Sequence, residues 1–85
     1  MKISVRLFGA LSEYGREPLE FELGADPQVA DLRAALEQRL AASRSDFRPA
    51  LLRSSAFADE HQILHEQDRL PATGQVAVLP PVSGG

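Results

Sequence analysis

The residues whose types and order could carry chemistry stand at the end of the sequence: Pro80, Pro81, Val82, Ser83, Gly84 and Gly85. Both prolines lack a backbone donor and hold φ near about −65°, so the chain should leave its last element as an extended rod aimed away from the body. Ser83 is small, and Gly84 and Gly85 have no Cβ. Such an end suits a channel too narrow for other residues and can deliver its carboxylate to a remote centre. A glycine carboxylate is also the least hindered acyl group a protein offers. Being ionised at neutral pH it is a poor electrophile, and it needs activation, for instance by adenylation, before a sulfur or amine nucleophile attacks. The bland alternative is a frayed terminus, where glycine is common. Pro-Pro-Val-Ser directly ahead of the glycines argues against it.

Other constellations are weaker. His61 and His65 are four apart, but Ile63 and Leu64 between them read as strand and no third ligand is evident, so no metal site is expected. Gly9 to Gly15 has no Gly-Lys-Ser/Thr ending and is no phosphate cradle. No strand-turn-helix elbow surrounds Ser12, Ser43 or Ser83, so a hydrolase is not expected. The absence of cysteine removes disulfides, thiolate metal sites and thiol nucleophiles together.

Eighty-five residues make one domain, and the net charge of −3 argues against nucleic acid or an anionic membrane as partner. With no apolar stretch of membrane-spanning length and no basic leader before an apolar run, the cytoplasm is the expected compartment. Glu13 to Glu37 is mostly acidic, whereas Arg44, Arg48 and Arg53 face only Asp46 in their stretch. That reads as two solvated surfaces of opposite sign.

The elements that must position the tail follow from periodicity. Ile3, Val5 and Leu7 alternate with Ser4, Arg6 and Phe8, which predicts a strand over Lys2 to Phe8 buried on one face; Leu19, Phe21 and Leu23 predict a second, joined to the first as a wide antiparallel hairpin. Pro27, with Asp26 or Gln28 as cap and Asp31 in the first turn, starts a helix running to about Ser43. Its apolar stripe is Val29, Leu32, Leu36 and Leu40. Arg44 to Ser55 has no clean period and is expected to be irregular, with Pro49 to Leu52 either a short helical turn or a plug at the core edge. Ala56 to Ala58 and Gln62 to Leu64 read as two brief strands around a turn that has no glycine. Gln75 to Leu79 is the final strand, with Val76 and Val78 inward, stopped by Pro80 and Pro81. A hairpin, one helix and a returning strand close most simply as an α+β roll, with the last strand parallel beside the first. The expected division is a domain over residues 1–79 and an extended tail over 80–85. Phe8, Leu79 and Ala77 would then form an apolar patch on the face without the helix.

Leu79 to Gly85, ending Pro-Pro-Val-Ser-Gly-Gly, is similar to the signature of the small, sulfur-carrying subunit of molybdopterin synthase. Val5, Arg6, Leu7, Phe8 and Gly9, followed by Leu11 and Glu13, resemble that family's first strand, and Val29 to Arg33 its helix start. The pattern covers essentially the whole chain, the tail being the specific part; a terminal Gly-Gly alone is shared by all ubiquitin-like carriers. Gln28 stands where a threonine cap is common, and Asp59 and Glu60 replace an Asn-containing turn.

This resemblance implies a ubiquitin-like β-grasp fold, a mixed sheet with one main helix across one face. It implies that the Gly85 carboxylate, with Gly84 beside it, is adenylated by a ubiquitin-activating-like adenylyltransferase using ATP and becomes a thiocarboxylate. The tail then enters the large catalytic subunit of molybdopterin synthase, in a heterotetramer, and gives its sulfur to cyclic pyranopterin monophosphate. Two carriers supply the two dithiolene sulfurs. The chain itself binds no cofactor and has no catalytic side chain; Phe8, Leu79 and Val82 are docking contacts, Pro80 and Pro81 set the angle of insertion, and Ser83 lies in the partner's channel. A chain without cysteine can carry sulfur if the sulfur sits on its own terminus. Rival readings are a carrier serving thiazole or another acceptor, a ubiquitin-like modifier joined through Gly85 to lysines, and a binding module whose tail is idle.

Overall fold

The computed structural model describes residues 1–81. Strand β1 (Lys2–Leu7) leads through a 3-10 turn (Gly9–Tyr14) into β2 (Leu19–Glu22); helix α1 (Val29–Ser43), helix α2 (Pro49–Arg53), β3 (Ala56–Ala58), β4 (Ile63–Leu64) and β5 (Gln75–Leu79) follow. The strands form one sheet in the order β2-β1-β5-β3-β4, with β1 and β5 parallel and the other pairs antiparallel. This is the ubiquitin-like β-grasp arrangement expected from the sequence, with α1 across one face.

Alternation decides what that face buries. Ile3, Val5, Phe21, Phe57, Val76 and Val78 turn towards the helix, which answers with Val29, Leu32, Leu36 and Leu40; Leu11, Phe47, Leu52 and Leu70 close the margins. Burying a side chain of this kind stabilises the fold by roughly 1.5–3 kcal/mol. The end of α1 is held by the pair below it: Tyr14 and Phe47 meet edge to face at 5.3 Å, and the Arg44 guanidinium lies 5.2 Å from the Tyr14 ring while donating to the Glu13 carbonyl at 2.8 Å.

The start of α1 shows how Gln28 is tolerated as its cap. The Val29 and Ala30 N–H groups donate to the Asp68 and Glu66 carbonyls, both at 3.0 Å, so a distant loop satisfies two of the helix's orphan donors. The Asp31 carboxylate reaches back to accept from the Gln28 N–H at 2.9 Å.

The stretch expected to be irregular contains α2. Pro49 sits in its first turn, where a missing donor costs nothing, and Leu52 is fully buried, so the helical turn and the core plug are one feature. The brief strands β3 and β4 pair as expected. Their turn needs no glycine because Asp59 Oδ1 accepts from the His61 and Gln62 N–H groups, each at 2.8 Å. The expected separation of charge is also tempered: Arg53 of the basic stretch grips Glu37 of the acidic one at 2.9 Å.

Arg33, off the apolar stripe, is the polar centre of this half. Its Nη1 donates to the Leu52 carbonyl at 2.7 Å and the Ser55 carbonyl at 2.9 Å, its Nε to Glu66 at 2.9 Å, and its guanidinium lies 4.5 Å from the Phe57 ring centroid. One planar fork thus ties α1 to the end of α2, to β3 and to the loop that caps the helix. Arg33→Lys keeps the charge but cannot reproduce this set. Both Arg33→Lys and Arg33→Ala are expected to lower stability by about 1–3 kcal/mol in urea denaturation at neutral pH; an unchanged midpoint for the lysine variant would show that the fork geometry is not used.

Candidate functional site

Strands β1 and β5 run parallel in the register Leu7 to Val78, so they end side by side, and the Phe8 N–H extends the ladder by donating to the Val78 carbonyl at 3.2 Å. The tail therefore starts beside the turn that follows β1. Gly9 adopts φ +57°, and a methyl group there would lie 2.8 Å from Pro80 Cγ. Glycine is needed at this position twice over, for the left-handed backbone and for the approach of Pro80. Pro80 is half-buried and Pro81 exposed. Val82, Ser83, Gly84 and Gly85, assigned from the sequence to partner contact and to acyl chemistry, lie outside the described residues.

With Val76 and Val78 facing the helix, Ala77 and Leu79 face the other way and are half-buried. Phe8 is 43% exposed and shares a shallow groove of about 220 Å³ with Ala77, rimmed by Arg6, Asp59 and Glu60. The register carries this face further than the sequence reading did. Leu79 lies opposite Ala56, Ala77 opposite Ala58, and Ala58 opposite Ile63, which is 54% exposed on the last strand of the sheet. An apolar strip thus runs from the tail root to the sheet edge, and Ala56, Ala58 and Ile63 were missed. The signal was available: in the pair Ile63 and Leu64 only one residue can face the core, and it is Leu64.

The strip has a charged border. Asp59 is held below the usual carboxylate range, first by the His61 and Gln62 N–H groups that point at it, so it stays anionic. Arg6, opposite Ala77, makes no ion pair or side-chain hydrogen bond among the described residues. His61 and His65 are both exposed, and His65 Nδ1 lies 3.4 Å from Asp68. Among the described residues no group of three His, Asp or Glu side chains is placed to hold a metal ion. Ser12 and Ser43 donate to the carbonyls of Gly9 and Leu40, with no histidine in either bond. What the arrangement offers is an apolar face beside the point where the tail departs.

The ThiS family pattern matches residues 5–85. No curated protein sequence matches the chain. Among solved structures, SAMP1 from Haloferax volcanii is similar at a TM-score of 0.74 and 24% sequence identity, with 100% of both chains covered. The HVO 2177 protein of the same organism is similar at a TM-score of 0.70 and 22% identity, covering 100% of this chain and 87% of that one. At these identities the two structures speak for the fold alone.

Two expected outcomes follow from the site's geometry. Phe8→Asp should leave urea stability within about 1 kcal/mol, because an exposed side chain has little packing to lose, while abolishing binding to whatever partner the strip docks. A larger loss in the isolated domain would place Phe8 in the core. The second concerns acid. Glu37, Asp46 and Asp59 are all lowered in the fold, by hydrogen bonds from Arg53, from Arg44 and from backbone N–H groups respectively. A lowered carboxylate stabilises the folded state above its ordinary value, 3.8 for aspartate and 4.5 for glutamate, and that stability is lost as pH falls through the lower folded value. The thermal midpoint should thus be flat from pH 7 to about 5 and fall below about 4. Asp59→Asn, which keeps an acceptor at Oδ1, should lose less on acidification than the parent chain.

Proposed function

The chain belongs to the ThiS family of ubiquitin-like sulfur carriers, and from that premise we propose that it is the sulfur-carrier subunit of molybdopterin synthase. In this reading residues 1–79 are the docking domain and 80–85 the working tail, and the protein acts in the cytoplasm. No helix among the described residues is long and apolar enough to cross a membrane. The observation that carries the reading is the tail root, where Pro80 is packed against Gly9 at the end of two parallel strands and beside an apolar strip.

The chemistry is that of an activated terminus. One Gly85 carboxylate oxygen attacks the α-phosphate of ATP on an adenylyltransferase partner, and pyrophosphate leaves. Hydrosulfide released by a sulfur donor then attacks the acyl carbon, AMP leaves with the electron pair of the acyl–oxygen bond, the S–H proton passes to solvent, and Gly85 holds a thiocarboxylate. Gly84 leaves the acyl carbon unhindered. Phe8, Leu79 and Ile63 dock on the large catalytic subunit, Pro80 and Pro81 set the angle of entry, and Val82 and Ser83 line the way in. There the thiocarboxylate sulfur attacks a side-chain carbon of cyclic pyranopterin monophosphate as an oxygen substituent leaves, water cleaves the acyl–sulfur bond so that the sulfur stays on the pterin and Gly85 returns to a carboxylate, and a second carrier of the heterotetramer supplies the second sulfur in the same way. The catalytic side chains belong to the large subunit, and no cofactor resides in this chain.

Intact mass spectrometry after incubation with ATP, magnesium, a sulfur donor and host extract tests this. The expected result is replacement of one oxygen by one sulfur in the full-length chain, no gain in a variant lacking Gly84 and Gly85, and loss of the gained sulfur when the pterin precursor and large subunit are added. Sulfur that stays on the carrier in their presence but leaves with a thiazole precursor would move it to that acceptor. Covalent adducts joined through Gly85 to lysines of other proteins would make it a modifier.

A further inference from the structure

Strand β2 is one edge of the sheet, separated from β5 and the tail root by β1. Its bonds to β1 settle which of its backbone groups face that edge. Leu23 and Met1 exchange both bonds, at 2.9 Å and 2.6 Å, while Ser4 and Phe8 give their N–H groups to Gly74 and Val78 on the other side of β1. In an antiparallel ladder bonded pairs alternate with unbonded ones, so Phe21 bonds to Ile3 and Leu19 to Val5, and Glu20 and Glu22 turn their N–H and C=O groups outward. Among the described residues one of those four groups has a partner: the Glu20 carbonyl accepts from Arg39 Nη2 at 2.8 Å and keeps its second lone pair. Pro18, next in the outward series, has no N–H, so the open edge is limited to Glu20 and Glu22.

The two faces beside this edge differ. On the helix side Ala35, Gln38, Arg39, Ala42 and Ser43 of α1 line a groove of about 490 Å³ against Phe21, with the Arg39 guanidinium 4.1 Å from the Phe21 ring centroid. On the other side stand the Glu20 and Glu22 side chains, both exposed. Lys2, opposite Glu22 on β1, makes no ion pair among the described residues. A second copy of this edge fits poorly. Any antiparallel pairing of β2 with itself through its outward groups sets a glutamate directly opposite a glutamate, and like charges so placed destabilise a sheet. A strand with lysine or arginine at alternate positions has the reverse effect, and the residues between its cations fall over the groove.

We propose that β2 is a docking edge for an extended segment of a partner protein in which basic and apolar residues alternate, added to the sheet as a sixth, antiparallel strand. The residue opposite Glu22 exchanges two backbone bonds with it, and the residue opposite Glu20 accepts from the Glu20 N–H and donates to the free lone pair of its carbonyl. The basic side chains of these two residues lie against the carboxylates, and the apolar side chain between them enters the groove beside Phe21. Main-chain bonds supply the grip, and the alternation of charge with apolar surface selects the segment. This edge does not involve the tail, so the proposal stands whether or not Gly85 carries sulfur.

The probe is the synthetic peptide acetyl-Thr-Val-Lys-Val-Lys-Val-Thr-amide, titrated into the isotope-labelled full chain and followed by backbone amide shifts in NMR spectra. Saturable shifts are expected at Glu20 and Glu22 and, across the groove, at Ala35 and Ala42. Affinity should exceed that of the same peptide with glutamate in place of both lysines by at least about fivefold. The double variant Glu20→Lys with Glu22→Lys, which alters two exposed positions, should reverse that order. Methylating the backbone nitrogens of both peptide lysines keeps the charge but removes the donors, and should weaken binding by at least about fivefold. Equal binding of the methylated peptide would mean attraction between charges without a strand and would overturn the proposal. So would the absence of saturable shifts, shifts confined to the strip from Phe8 to Ile63, or shifts at Glu20 and Glu22 that follow protein concentration without peptide, which would make the occupant a second copy.

Discussion

The parallel pairing of β1 with β5 is the constraint on which the rest depends. It brings the first and last strands together at the centre of the sheet, and its register, Val5 to Val76 and Leu7 to Val78, makes both strands bury the same face and end at the same level. Because side chains alternate, that one register also settles what the other face carries: Arg6 beside Ala77, with Phe8 following Leu7 onto the same side as Leu79. A slip of one residue would set Arg6 on the same face as Val76 and Val78, so that either the arginine is buried or the two valines are exposed. Gly74 protects the register at its start, with φ +74° and a Cβ position only 2.5 Å from the Lys2 carbonyl oxygen, and Gly9 protects it at its end. Any side chain at either position would push the two strands' termini apart.

A parallel pair needs a long crossover, and the crossover is where this small domain is held by polar contacts as well as apolar ones. Arg33 does for the second half of the chain what the β1–β5 ladder does for the first. It gathers carbonyls from the end of α2 and the start of β3, and its pairing with Glu66 fixes the loop whose own carbonyls cap α1. The Arg33 side chain is only 17% exposed, so its bonds to the Leu52 and Ser55 carbonyls are partly shielded from water, whereas Glu66 stands at the surface. Phe57, fully buried beneath the guanidinium, links this polar cluster to the core.

The parts of the fold that obey a period were legible in the sequence. The alternation of β1, β2 and β5 and the stripe Val29, Leu32, Leu36, Leu40 each depend on one buried face, which periodicity reports directly. The helix α2 was not settled, since five residues give barely one turn and its apolar content, Leu51 and Leu52, is too short to define a period. The role of Arg33 was not legible, because its partners, main-chain carbonyls about twenty residues away and the Glu66 carboxylate, leave no mark on side-chain periodicity. On the candidate site, Phe8 and Leu79 could be placed on the outer face by parity alone. Parity alone marks Ile63 as the outward member of the pair Ile63 and Leu64, but its joining the same strip as Leu79 needed the register of β5, β3 and β4. Gly84 and Gly85, which the sequence singles out most strongly, lie outside the described residues.

Threading a chain end into a partner costs roughly 1–2 kcal/mol of backbone entropy for each residue that has to be fixed. Two of the six residues after β5 carry much less of that cost: Pro80 and Pro81 have φ set by their rings, and Pro80 is already held against Gly9. The remaining four call for about 4–8 kcal/mol from contacts made elsewhere. At about 25 cal/mol per Å² of apolar surface, that corresponds to roughly 160–320 Å² of burial, which is the work of a few side chains. The exposed portions of Phe8 and Ile63, with Leu79 and the alanines between them, are of the right kind and lie beside the point where the tail departs. A narrow, featureless tail gains access to a remote centre but contributes little binding of its own. In the proposed reading an apolar strip at its root would supply that binding without crowding the acyl end, so a separation of grip from reach follows from the entropy of the tail as much as from its chemistry.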